Sequence, residues 1–208
     1  MKVYYIRLDD AVSLDVLTPY FSLLPAERQE KIVRYRFEED KLTSAVAGLL
    51  IGAVTGFREL IFNEHGKPYV KDAADCFFSL SHSGRCVAIA VDAEEVGLDV
   101  EKLREKDTEK LRHRFFSIEE NRYIEAQSDQ NVAFTDIWTR KEAYLKMKGT
   151  GITDDLTAFD TTDHKLMKHL VTYPLEGYYL TVCSVHKITS QDVDISEIEL
   201  KDLIRMLS

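Results

Sequence analysis

Gly97-Leu98-Asp99-Val100-Glu101 alternates apolar and acidic side chains after a glycine. A period of two reads as a strand, predicted over 96–101. Leu98 and Val100 then share one face, and Asp99 and Glu101 the other. Two carboxylates side by side repel unless a proton or a cation intervenes. Hard oxygen ligands suit magnesium, which commonly takes one or two carboxylates and leaves positions for substrate phosphates. A solvated strand end is the simpler reading, and spacing alone favours it. The same stretch sits at a change of texture, with a boundary between two halves near 94–102.

Upstream, Val3, Tyr4, Tyr5 and Ile6 predict a strand over 2–9. Pro25 at a first helical position opens a polar helix near 26–36. Leu42, Val46, Leu49, Leu50 and Ala53 recur at helical spacing and predict a helix over 39–55. Short strands follow near 59–63, 68–71, 76–82 and 86–92, the first two joined by a turn at Glu64-His65-Gly66-Lys67. Downstream, helices are predicted near 107–115, 118–127 and 131–148. The second opens on Ser117-Ile118-Glu119-Glu120, a capping box. The third stops at Gly149. Strands near 156–161, 169–173 and 178–187 precede a short terminal strand and helix.

Each half thus starts with a strand, runs through helices and finishes in strands. The expected class is α+β: a pseudo-two-fold pair of similar halves, 1–96 and 97–208, each a small, mostly antiparallel sheet packed with helices. A cleft between them is the default ligand site.

Composition narrows the function. The chain has 208 residues, 45% apolar and 30% charged, with net charge −9. Such a balance speaks against a general nucleic-acid binder, because phosphate neutralisation dominates that affinity. No apolar run of about 18 residues exists to cross a membrane. Arg7, Asp9 and Asp10 interrupt the N-terminus before a signal core forms, so a cytoplasmic location is expected. Cys76, Cys86 and Cys183 show no metal spacing and read as three buried thiols in a reducing compartment.

Three more features carry chemistry. In Trp138-Thr139-Arg140-Lys141-Glu142-Ala143-Tyr144-Leu145-Lys146, every fourth residue shares a helix face, which groups Trp138, Glu142 and Lys146. Glu142 could complete an oxygen cage and Lys146 could hold a phosphate. The plain alternative is an exposed Glu–Lys pair beside a core tryptophan. Phe78-Ser79-Leu80-Ser81-His82-Ser83-Gly84 offers hydroxyls and an imidazole to an anion. A serine nucleophile is the rival there, but no GxSxG elbow is present. Two basic clusters, Arg28/Lys31/Arg34/Arg36 and Arg140/Lys141/Lys146/Lys148, depart from the acidic average, although helix faces are commonly charged. Lys67 adds a cation in the Gly66-Lys67-Pro68 turn.

Taken together, these segments resemble the 4'-phosphopantetheinyl transferases, in the larger, surfactin-synthetase-activating type that serves peptide and polyketide synthetases. The resemblance runs from about residue 25 to 152, with Phe115-Phe116-Ser117 and Glu120 between the two main motifs. It implies a pseudo-two-fold monomer with coenzyme A as co-substrate in the cleft. It implies that Asp99, Glu101 and Glu142 hold magnesium, with manganese also admissible. Arg28, Lys31, Ser44, Lys67, Ser81 and His82 would contact the nucleotide end, and Lys146 the pyrophosphate. Thr43 stands where relatives often carry a basic residue, a departure that bears on the 3'-phosphate contacts. The implied reaction moves 4'-phosphopantetheine to a serine of an apo carrier protein and releases adenosine 3',5'-bisphosphate. Glu142 is the first candidate base and Glu120 the second. The acidic carrier is expected near 107–127, steered by Arg112, Arg114 and Arg122 and anchored on Phe116 and Tyr123. The competing readings are a magnesium-dependent pyrophosphate hydrolase and a noncatalytic binding module.

Overall fold

The computed structural model describes residues 1–104, 108–151 and 156–207. The expected helix start at 107 and the end of the matched stretch at 152 lie outside them.

The first sheet is built from β1 (Lys2–Arg7), β4 (Phe77–Ser83), β5 (Cys86–Asp92) and β9 (Asp194–Glu197) in the order β4-β5-β1-β9. β1 and β5 pair antiparallel, as do β4 and β5, whereas β9 runs parallel to β1. A separate hairpin joins β2 (Leu60–Phe62) and β3 (Pro68–Val70). The second sheet has β6 (Val96–Lys102), β7 (Leu170–Leu175) and β8 (Tyr178–Ser184) in the antiparallel order β6-β8-β7. The α+β class of small, mostly antiparallel sheets packed with helices is therefore borne out.

The helices follow local signals. α1 covers Ala26–Arg34 and α2 Glu38–Thr55, the latter closed by Gly56 at φ 68°. α3 covers Glu109–Phe115 and α4 Ile118–Glu125. The capping box of α4 forms as the sequence foretells: Ser117 Oγ accepts from Glu120 N at 3.1 Å, and Ser117 N donates to Glu120 Oε2 at 2.9 Å. α5 (Gln130–Lys148) starts at Asp129, whose carboxylate accepts from Asn131 N and Val132 N, and ends at Gly149 in the left-handed region. α6 (His164–Met167) and α7 (Leu200–Met206) are short.

Period-two alternation explains how two cores share one sheet. On β5, Val87 and Ile89 face α2 and join Leu42, Val46, Leu49 and Leu50. Cys86, Ala88 and Ala90 face the other way, toward Leu98 and Val100 of β6 and Leu180 and Val182 of β8. Small residues on that face let the two sheets approach. Each large apolar side chain fully buried there contributes about 1.5–3 kcal/mol. An aromatic cluster of Phe116, Phe134 and Trp138 ties the α3–α4 junction to α5, with Phe134 and Trp138 stacked at 5.9 Å.

Three differences from the sequence expectations have physical causes. Residues 156–161 form no strand; Leu156–Ala158 is a 3-10 turn whose Leu156 carbonyl accepts from Lys141 Nζ at 2.6 Å. Leu14–Leu23 forms a 3-10 helix that no regular periodicity announces. A division at 96/97 puts the C-terminal segment in the second half. Instead β9 returns to β1, and Leu203 of α7 packs in the α2 core. Cys86 and Cys183 are buried free thiols, pushed up to about 12 by burial, whereas Cys76 is only half-buried.

Candidate active site

The two sheets meet along β4 and β6, and serines make the seam. Ser79, Ser81 and Ser83 alternate along β4, so their hydroxyls share a face. Ser79 Oγ accepts from Leu98 N at 2.9 Å. Ser81 Oγ donates to Asp99 Oδ1 at 2.7 Å. Ser83 Oγ donates to Glu101 Oε2 at 2.9 Å and accepts from Lys102 N at 3.1 Å. The segment's hydroxyls are expected to face an anion; Ser79 and Ser83 instead bond to β6, as their period-two spacing with Ser81 allows.

α5 lies across β6 because Gly97 has no side chain. A Cβ there would stand 1.8 Å from Ala143 O and 2.4 Å from Met147 N. That contact brings Lys146 over Asp99: Lys146 Nζ is 2.7 Å from Asp99 Oδ1 and 2.8 Å from Ser81 Oγ. Asp99 is 3% exposed, and its Oδ2 is buried without a hydrogen-bond partner. Burial and the charges of Asp99 and Glu101 push the Glu142 carboxyl up to about 7, against the opposing effect of Lys146. Glu101 is also raised, first by burial and then by Asp99. These couplings bring the three expected carboxylates and Lys146 into one electrostatic unit. Among the described residues, no group of three His, Cys, Asp or Glu side chains is gathered to hold a metal ion.

Beside this unit lies a cationic rim. Desolvation, then the charges of Lys146, Lys31 and Arg28, hold the His82 imidazole below its ordinary value, while Asp40 opposes them. Arg28, half-buried against Gly48 of α2, is lowered by burial. Lys31 is exposed, with its ammonium 5.9 Å from the Tyr35 ring. Ser44 Oγ is buried and unpartnered. Thr43 Oγ donates back to Glu39 O at 2.9 Å, so it serves its own helix. Positive charge gathered in this way is what an anionic ligand requires.

Several expected residues fall elsewhere. Glu120 is fully buried: Oε1 accepts from Thr161 N and Oγ1, both at 2.8 Å, and Oε2 meets Lys141 Nζ at 2.8 Å and Ser117 N. With its oxygens so engaged and no exposure, it is a structural anchor and not a base. The basic cluster on α5 divides likewise. Arg140 forks onto Asp136 at 2.9 and 2.5 Å, Lys141 is buried and Lys148 lies 5.6 Å from the Tyr144 ring, whereas Lys146 joins the carboxylates. Lys67 turns away from the rim: its side chain is 8% exposed and pairs with Glu95. Arg112 is buried and bonds Glu125 at 2.8 Å, and Phe116 lies in the aromatic cluster, so neither is on the surface expected to receive a carrier. Trp138 serves that cluster as well, under Arg104 at 5.6 Å.

Comparison with known proteins converges on the same elements. Residues 95–196 match the sequence profile of the 4'-phosphopantetheinyl transferase superfamily. The chain is 28% identical over 222 residues to 4'-phosphopantetheinyl transferase Sfp of Bacillus subtilis (strain 168), covering 96% of this chain and 99% of that protein. It is 27% identical over 230 residues to 4'-phosphopantetheinyl transferase gsp of Aneurinibacillus migulanus, covering 99% and 94%. It is 34% identical over 140 residues to 4'-phosphopantetheinyl transferase AcpT of Escherichia coli O157:H7, covering 65% and 71%. The matched span starts at β6 and takes in α5, the two elements that bring Asp99, Glu142 and Lys146 together, and the chain belongs to the 4'-phosphopantetheinyl transferase superfamily.

Proposed function

We propose that this chain transfers 4'-phosphopantetheine from coenzyme A to a serine of an apo acyl or peptidyl carrier protein and releases adenosine 3',5'-bisphosphate. The observation that carries the reading is the meeting of Lys146, Ser81 and Asp99 at hydrogen-bond distance beside the cationic rim of His82, Lys31 and Arg28.

The residues account for the chemistry. The serine oxygen of the carrier forms a bond to the phosphorus that bears the pantetheine arm. The bond from that phosphorus to the bisphosphate oxygen breaks, and the serine proton must leave. Phosphoryl transfer relies on positioning and on charge placed where the leaving oxygens gain it. Lys146 supplies a fixed positive charge. His82, Lys31, Arg28, Ser44 and Ser81 receive the nucleotide end. Glu142 is the candidate acceptor of the serine proton, directly or through a water, and a cation held on its carboxylate would weaken it as a base.

The chemistry of the donor set, hard oxygens with one buried acceptor left unpartnered, supports a divalent cation. Asp99 Oδ2 is that buried acceptor without a donor, and the charge of Asp99 raises the proton affinity of both Glu101 and Glu142. Asp99, Glu101 and Glu142 would hold magnesium, or manganese, which would neutralise charge on the pyrophosphate oxygens.

For the carrier, Arg114, Arg122 and Ile118 are among the exposed residues of the α3–α4 surface, and Ile118 is 72% exposed. Charge reversal at Arg114 should raise the carrier's KM; no change would place docking elsewhere. The protein is taken to act as a cytoplasmic monomer. The function itself is tested by the intact mass of an apo carrier after incubation with the chain, coenzyme A and magnesium. A mass gain of one phosphopantetheine group supports it. Coenzyme A cleaved with the carrier unchanged indicates a hydrolase, and neither change indicates a binding module.

A further inference from the structure

We propose that Lys67 is a positioning residue, which together with Asn63 fixes the last turn of α5 against the start of β6 and so sets Lys146 against Asp99. The inference rests on the transferase reading for what that alignment achieves, but its geometry stands independently. An α-helix ends with carbonyls that lack intrahelical donors and with a negative dipole. In α5 one of these carbonyls, and the carbonyl of the capping Gly149 just beyond them, are taken by the β2–β3 turn of the other half. Lys67 Nζ donates to Met147 O at 2.9 Å, and Asn63 Nδ2 donates to Gly149 O at 2.8 Å. The remaining directions of the Lys67 ammonium go to the Glu95 carboxylate and to Val96 O at 3.3 Å. An ammonium has three donors. All three are accounted for, and they span the residues that open β6 and close α5.

The turn that carries Lys67 is itself wired. Asn63 Oδ1 accepts from Lys67 N at 2.8 Å and from His65 N at 3.0 Å, and Asn63 N donates to Lys67 O at 3.0 Å. Gly149 fits against it closely: a Cβ there would meet Lys67 Cδ at 3.0 Å and Asn63 Nδ2 at 3.1 Å. Met147, whose carbonyl Lys67 holds, directly follows Lys146. A sideways slip of this turn moves the Lys146 ammonium relative to Asp99 and Ser81. A rigid contact from outside the cleft therefore sets a distance inside it.

The test compares Lys67→Met and Asn63→Ala with Lys71→Met, an exposed lysine of the same hairpin paired with Glu59. Steady-state transfer to an apo carrier is measured on the folded fraction, with amide exchange across α5 in parallel. For Lys67→Met, kcat should fall about tenfold while the KM for coenzyme A stays unchanged. Asn63→Ala should show the same pattern more weakly, and Lys71→Met neither effect. Amides of the last α5 turn should exchange faster in the first two variants. A raised KM for coenzyme A with kcat intact would make Lys67 a nucleotide contact and overturn the proposal. So would unchanged exchange at the α5 end. If the unaltered chain fails to modify any carrier, the transferase reading falls, and the exchange data alone decide whether Lys67 and Asn63 hold the helix.

Discussion

Lys146 Nζ lies 2.7 Å from Asp99 Oδ1, so a cation from α5 caps a carboxylate on the strand face that the sequence read as acidic. The lysine side chain is 31% exposed and the aspartate 5%, which leaves the ammonium one side open toward a ligand. Lys146→Ala should therefore leave the fold standing and lower the transfer rate about 10²–10³-fold, the usual loss when one preorganised charge is removed. Initial rates at saturating coenzyme A check this. A rate within a few-fold of the unaltered protein would remove Lys146 from the chemistry.

Gly97→Ala tests the approach of α5 to β6. The new methyl would need to clear Ala143 O and Met147 N, both backbone atoms that cannot swing aside. Overpacking of this kind costs about 1–3 kcal/mol or more. Urea denaturation should show that loss, and kcat should fall with it, because α5 carries Glu142 and Lys146. Unchanged kcat in a destabilised variant would show that the helix shift does not reach the site.

Glu120→Gln separates anchoring from proton transfer. Lys141 is 1% exposed and would face a neutral partner across the former ion pair. Removing one member of a buried pair costs about 3–5 kcal/mol. The melting temperature should drop sharply, while the folded fraction keeps its kcat and pH profile. Loss of activity with stability intact would restore Glu120 as a base.

Glu197 gives a pH dependence outside the site. Its carboxyl is held below the ordinary value, first by the hydrogen bond from Arg7, at 2.8 Å between Nε and Oε1. A carboxylate with a depressed folded-state pKa binds fewer protons folded than unfolded, so its stabilisation is present above the unfolded value and lost as pH falls through the folded one. The Glu197 side chain is 39% exposed, which keeps the contribution to about 1 kcal/mol or less. Glu197→Gln should be less stable than the parent at pH 7, with the difference closing in acid below the ordinary carboxylate range. A difference that stays constant with pH would show that packing of β9, and not the charge, is responsible.

Local patterns made much of this fold readable. Helical spacing foretold α2 and α5, and the Ser117/Glu120 capping box forms as written. Other features depend on distant partners. β9 joins β1 across more than 190 residues, and four residues carry too little periodicity to announce a parallel edge strand. At the site, residue types and order were legible for Asp99, Glu101, Glu142 and Lys146. What each cation faces was not, because Lys67, Arg112 and Lys141 look like surface charges until the chain folds around them. Glu120 shows the same ambiguity in reverse: one residue serves a helix cap, a buried ion pair and Thr161 at once.

The central claim is group transfer from coenzyme A to a protein serine, and its most direct measurement counts both products of one reaction. An apo carrier, coenzyme A, magnesium and the chain are incubated together. Adenosine 3',5'-bisphosphate and phosphopantetheinylated carrier are then quantified from the same sample. The account predicts equal amounts of each, no bisphosphate when the carrier's serine is replaced by alanine, and loss of both products with Lys146→Ala. Bisphosphate released without modification of the carrier would contradict it.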